Sequence, residues 1–152
     1  MGKTPKEDLT SRGMSAADLN VVQAIEQHSF HDSWTYETWL GELNSNLTRY
    51  IVLEKDSSVI AFAGYWLIAG EAQVTRVAVV AAERGKGFGK IITEALLEAA
   101  WQEGATAVTL EVRQSNAAAL KVYAEVGFVS SGIRPHYYQD NNEDAIIMWL
   151  YR

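Results

Sequence analysis

Residues 83–93 read ERGKGFGKIIT. Glycines at 85, 87 and 89, cations at Arg84, Lys86 and Lys90, and an apolar run from Ile91 place a tight turn at the start of a helix. Upstream, VTRVAVV at residues 74–80 has the β-branched content of a strand. Downstream, Ile92, Ala95, Leu96, Ala99 and Ala100 recur at helical spacing, and Gly104 stands where the helix should end. AVTLEV at residues 107–112 then alternates: Val108, Leu110 and Val112 share one face, Thr109 and Glu111 the other. Strand, loop, helix and strand form a crossover unit, which predicts residues 74–80 parallel and close to residues 107–112.

A glycine turn opening a helix suits an anion, because unobstructed amides point at one place and the helix adds roughly half a positive charge. Two common phosphate motifs do not fit. A dinucleotide fingerprint counted from Gly85 and Gly87 would need glycine where Lys90 stands. A nucleotide P-loop would need glycine at Arg84 and a hydroxyl residue at Ile91. On these residues alone the loop holds a phosphate of another kind or serves packing only.

The remaining chain completes an α/β domain with a mixed sheet. Residues 1–14, with Lys3, Lys6, Glu7 and Asp8 around Pro5, read as a loose arm before a single domain over 15–152. Ser15 and Asp18 resemble a capping box for a helix reaching about His28, and Thr35 can cap a second helix through Trp39 and Leu43. RYIVLE and VIAFAGYWLI flank a polar turn as a hairpin. Asn116 to Val126 is a short helix closed by Gly127, and FVSSGI and AIIMWLY are the last strands.

The chain of 152 residues carries 48% hydrophobic residues, enough for one core. No apolar run approaches 18 residues, which predicts a cytoplasmic protein without membrane association, a monomer or weak homodimer. The absence of cysteine excludes disulfides, thiolate metal sites and a thiol nucleophile. His28, His31 and His136 make no ligand set, so no metal is expected. A net charge of -6 argues against direct nucleic-acid binding and suits a cationic partner. Tyr137 and Tyr138, beside Pro135 in a polar loop, are candidate substrate-facing rings.

R-x-x-G-x-G at Arg84, Gly87 and Gly89, between a strand and an amphipathic helix, resembles the acyl-CoA pyrophosphate loop of the GNAT superfamily of N-acetyltransferases. The resemblance runs on through LEVRQSNAAALKVYAEVGF at residues 110–128 and RPHYYQDNNEDAIIMWL at residues 134–150, and is weaker in HSFHDSWTYETWL. Within that superfamily these segments are similar to the ribosomal-protein alanine N-acetyltransferases, in which glutamine often stands where this chain has Arg84. The resemblance implies the GNAT acyl-CoA N-acyltransferase fold, a mixed central sheet flanked by helices, with acetyl-CoA as co-substrate. It puts the pyrophosphate on the backbone of Arg84, Gly85, Lys86, Gly87, Phe88, Gly89 and Lys90, with Lys86 and Lys90 adding charge. It sets Val77, Ala78 and Val79 beside the pantetheine arm, the Val79 amide polarising the thioester, and Asn116 against the coenzyme.

The same resemblance makes Glu111 the general base and Tyr123 the general acid for the thiolate. Without it, Glu111 reads as a base or as half of a salt bridge, for example with Arg113, and Tyr123 more often as core than as an acid. Arg76 and Arg113 either meet substrate or pair with carboxylates. The implied acceptor is the N-terminal alanine of a basic small-subunit ribosomal protein, drawn by Asp140, Glu143 and Asp144; a lysine, a small amine, or coenzyme binding without catalysis are the alternatives.

Overall fold

The computed structural model describes residues 8–30 and 32–152; residues 1–7 of the expected arm and His31 lie outside the described residues. Seven strands, β1 (Leu9–Gly13), β2 (Thr48–Lys55), β3 (Ser58–Ile68), β4 (Glu71–Val79), β5 (Ala107–Arg113), β6 (Val129–Arg134) and β7 (Ala145–Tyr151), form one sheet in the order β1-β2-β3-β4-β5-β7-β6. Every neighbouring pair is antiparallel except β4 with β5. Four helices, α1 (Leu19–Ser29), α2 (Tyr36–Asn44), α3 (Phe88–Gln102) and α4 (Ala117–Glu125), cover its two faces.

Side-chain alternation decides which helix covers which face. In β3, Ala61, Ala63 and Tyr65 join Ile92, Leu96 and Ala100 of α3 in the larger core. Phe62, on the other face, joins Leu19, Val22 and Ile25 of α1 and Trp39 of α2. Trp39 lies edge to face with Tyr50 and Phe62, at centroid distances of 5.1 and 5.5 Å, a favoured aromatic geometry. Thr35 caps α2 by accepting the Thr38 amide at 3.1 Å, as its position in the sequence predicts.

Residues 9–13, expected as part of a loose arm, are instead a strand. Leu9–Gly13 pairs with β2 as an edge strand, and Arg12 clamps it through Asp18 at 2.8 Å and Glu54 at 3.3 Å. The Arg12 hydrogen bonds hold the Asp18 carboxyl down at about 2. LTSRG hides this strand because none of its five residues is fully buried, so no apolar alternation marks it.

The second correction concerns the crossover unit. β4 begins at Glu71, and its parallel pairing with β5 is confined to Glu71, Ala72 and Gln73 against Ala107, Val108 and Thr109. Residues 74–79 diverge from β5 instead of lying against it. A register shift between Gly64 and Tyr65 leaves Thr75 as an extra residue in β4, because Gly64 faces Arg76 and Tyr65 faces Val74. Such a bulge bends a strand and reverses its facing pattern. Accordingly Ala72, Val74, Val77 and Val79 all pack on the larger core, whereas Ala78 joins the α1 side.

The bulge is held by a partly buried polar network. The Tyr50 hydroxyl donates to Glu42 Oε1 at 2.5 Å and lies 3.0 Å from Thr75 Oγ1, which also reaches the Gly64 carbonyl at 3.3 Å. The Tyr50 ring occupies the space beside Gly64 so closely that an added Cβ would stand 2.0 Å from it. Gly64→Ala should therefore cost at least about 1–3 kcal/mol in urea denaturation, the usual scale of overpacking. Gly41→Ala, where a Cβ meets nothing within 4 Å, should be neutral or stabilising. Equal stability of the two variants would contradict the packing.

Candidate active site

Where β4 leaves β5, main-chain groups lose their strand partner. The Val80 amide donates to the Ile60 carbonyl at 2.7 Å. By the alternation of an antiparallel ladder, Ala78 and Arg76 then also bond toward β3, and Val77 and Val79 turn their polar groups to the gap. The Val79 carbonyl is taken by Arg84 Nε at 3.0 Å. Val77 and Val79 thus offer main-chain groups at the expected place, and Ala78 does not.

The glycine loop closes one end of the gap. Gly85 and Gly87 have φ of +78° and +90°, a region other residues rarely enter, and a Cβ at Gly85, Gly87 or Gly89 would meet nothing within 4 Å. Gly87 is the N-cap of α3 without a side-chain cap, so helix geometry leaves the amides of Phe88, Gly89 and Lys90 facing open space. Two of the three cations bond within the chain. Arg84 turns its guanidinium back to Val79 and to Ser29 Oγ at 2.8 Å, and Lys86 bonds Glu83 at 3.1 Å, which Lys55 also engages at 3.0 Å. The Phe88 side chain is buried in the core, and Lys90 stays exposed.

Glu111 stands on the facing wall, on the side of β5 opposite Val108, Leu110 and Val112. Its ion-pair partner is Arg134, Nε to Oε1 3.2 Å, and not Arg113. Arg113 instead pairs with Asp140 at 2.9 Å and Glu143 at 3.3 Å and lies 3.9 Å over the Tyr138 ring. Tyr138 meets Tyr137 edge to face at 5.0 Å. Burial pushes the Tyr138 phenol up to about 12, with Arg113 opposing and Tyr137 and Glu111 adding to it. Tyr123, on α4, packs edge to face with Phe128 at 5.7 Å, and burial, then the charge of Tyr138, pushes it up to about 12. Asn116 uses its carbonyl to cap α4 through the Ala119 amide at 3.1 Å, leaving its amide hydrogens for another partner.

The acidic loop before β7 is committed to its own structure. Asp140 and Glu143 hold Arg113, Glu143 accepts the Ser115 amide at 2.7 Å, and Asp144 accepts the His136 amide at 2.9 Å. Sequence reasoning overlooked Asp32, whose side chain is 86% exposed and whose charge acts on Tyr137 together with those of Glu111 and Arg134. Arg76, left open by the sequence, is internal. It lies 3.4 Å from fully buried Glu26, donates to the Asp32 carbonyl at 3.0 Å, and is sandwiched by the Phe30 and Trp34 rings at 4.4 and 4.3 Å. Burial pushes the Glu26 carboxyl up. Among the described residues no cluster of three or more His, Asp or Glu is arranged to hold a metal, and no helix is long and apolar enough to cross a membrane.

A parallel pair that parts beside a glycine loop at a helix N-terminus leaves main-chain groups free for a ligand, and Glu111 stands on the β5 side of that gap. Residues 14–128 match the acetyltransferase (GNAT) family, and the chain belongs to it; enzymes of this family take their acetyl group from acetyl-CoA. The chain is similar, at 34% identity over 141 residues, to the ribosomal protein bS18-alanine N-acetyltransferase of Salmonella typhimurium, covering 90% of this chain and 93% of that one. Its structure superposes with a TM-score of 0.85 on the crystal structure of the ribosomal-protein-S18-alanine N-acetyltransferase from Escherichia coli, at 31% identity over 95% of this chain and 94% of that chain. It superposes with a TM-score of 0.83 on Ard1 from Thermoplasma volcanium, at 28% identity over 94% of this chain and 97% of that chain.

A phenol raised above its ordinary value of 10 stays protonated throughout the neutral range, and any stability this gives is full below about 10 and is lost as pH rises from there through about 12. In a spectrophotometric phenolate titration, Tyr123→Phe should remove one step near pH 12 and leave the earlier steps in place. Loss of a step near pH 10 would contradict the buried environment of Tyr123.

Proposed function

We propose that this chain transfers the acetyl group of acetyl-CoA to the α-amino group of an N-terminal alanine on a basic ribosomal protein, in the cytoplasm. The observation that carries the reading is the gap between β4 and β5, with open amides at Val77, Val79 and the α3 N-terminus on one side and Glu111 of β5 on the other. The acceptor follows from the bS18-alanine N-acetyltransferases, to which the likeness extends over nine-tenths of the chain.

In this reading the amides of residues 85–90 hold the pyrophosphate, and the open φ > 0 glycines let it approach the backbone. The Val77 and Val79 main chain orients the pantetheine arm, and the Val79 N–H polarises the thioester carbonyl. Glu111 takes a proton from the acceptor ammonium, directly or through a water, which leaves a neutral amine. The amine nitrogen bonds to the acetyl carbon as the carbon–sulfur bond breaks. The departing thiolate takes the phenolic proton of Tyr123, and the phenolate recovers one from the newly acylated nitrogen. Glu111 returns its proton to solvent, so one proton is released per turnover. Tyr137, 47% exposed, and Tyr138 flank the acceptor backbone, and the net charge of -6 favours a cationic peptide.

Glu111→Gln should lower turnover by about 10²–10⁴-fold with little change in coenzyme affinity, and Tyr123→Phe should slow thiolate departure on the same scale. Wild-type rates for both at saturating substrates would refute the acid–base assignment. Gly89 lacks a positive φ and its Cβ would meet nothing, so Gly89→Val should fold and still obstruct a phosphate at the α3 amides. Calorimetry should find acetyl-CoA binding at least about tenfold weaker, a loss near 1.4 kcal/mol; unchanged affinity would move the pyrophosphate elsewhere. Mass spectrometry on an alanine-first basic peptide, its N-terminally blocked form and a neutral form tests the acceptor. Modification of the blocked peptide at lysine would transfer the function to lysine acetylation.

A further inference from the structure

The ion pair between Glu111 and Arg134 has no part in the scheme above. Arg134 closes β6 at the sheet edge, where its register partner on β7 is Ala145. Ala145 is also the partner of Arg113 on β5, and Glu111 is opposite Ile147. Arg134 and Glu111 therefore share one face of the sheet, two residues out of register across β7. The guanidinium crosses above the fully buried Ala145 and places Nε 3.2 Å from Glu111 Oε1. Oε2 of Glu111 receives no hydrogen bond from the described residues.

The surroundings leave this contact to Arg134. Arg113, the other cation on that face, is drawn to Asp140, Glu143 and the Tyr138 ring. The phenols of Tyr137 and Tyr138 are both pushed up by burial and stay neutral. The ion pair shares its sheet face with Arg113, whose guanidinium lies over the Tyr138 ring beside Tyr137, so it stands next to the rings proposed to flank the acceptor. A half-exposed glutamate otherwise has several rotamers to sample, and fixing it loses side-chain entropy at each turnover.

We propose that Arg134 is a positioning residue for Glu111, holding Oε1 so that Oε2 points into the cleft as the proton acceptor. This rests on the reading of Glu111 as the base. The guanidinium does not exchange a proton; the proton passes from the acceptor nitrogen to Oε2. A planar Nε–H fixes the direction of the carboxylate, which a lysine ammonium does less well.

The test is steady-state kinetics on the full chain with an alanine-first peptide, using Arg134→Gln and Arg134→Lys alone and in a Glu111→Gln background. Exposed ion pairs contribute little to stability, so melting temperatures should stay near that of the wild type. Arg134→Gln should lower kcat by roughly 10–100-fold without changing KM for acetyl-CoA, and Arg134→Lys should recover part of the loss. In the Glu111→Gln background the same substitution should change kcat by less than about twofold, because the two residues act as one unit. An unchanged kcat in Arg134→Gln, or an equal loss in both backgrounds, would overturn the proposal. Wild-type turnover by Glu111→Gln itself would instead overturn the base reading and with it this inference.

Discussion

The site depends on one constraint: β4 cannot stay paired with β5 beyond Gln73. The extra residue Thr75, fixed by hydrogen bonds to Tyr50 and Gly64, bends the strand away. A buried strand edge with unmatched amides is costly unless a ligand or water completes it. The gap is therefore a place where the fold leaves polar work unfinished, and the coenzyme's amide-bearing arm is a ligand of matching chemistry. The close packing of Tyr50 on Gly64 keeps the bend from relaxing.

The two faces of the sheet then divide the labour. On one, α3 packs its apolar stripe so that its N-terminus meets the end of β4, which sets the glycine loop against the gap. On the other, Arg76 ties the segment between α1 and α2 to β4 through Glu26, Asp32 and two aromatic rings. Removing one member of such a buried pair typically costs about 3–5 kcal/mol, because the other charge is stranded. Arg84 joins the two sides by reaching from the glycine loop to Ser29 of α1.

Elements with strong periodicity were legible in the sequence. The apolar spacing of Ile92, Leu96 and Ala100, the alternation around Glu111 and the cap Thr35 are local signals, and each corresponds to the structure. What was illegible depends on contacts between distant residues. β1 exists because Arg12 finds Glu54, 42 residues away, and not because LTSRG favours a strand. The bulge at Thr75 depends on Tyr50, and the partner of Glu111 lies 23 residues on, across another strand. Arg84 carries a motif position in the sequence, yet its side chain serves the scaffold, which spacing alone does not reveal.

The central claim is that the gap between β4 and β5 and the α3 N-terminus together receive acetyl-CoA. Amide hydrogen exchange with and without acetyl-CoA tests it at single residues. The account predicts new protection at Val77, Val79, Gly89 and Lys90, with Glu71 and Gln73, already within the paired end of β4, little changed. Unaltered exchange at Val77 and Val79 under saturating acetyl-CoA would contradict it.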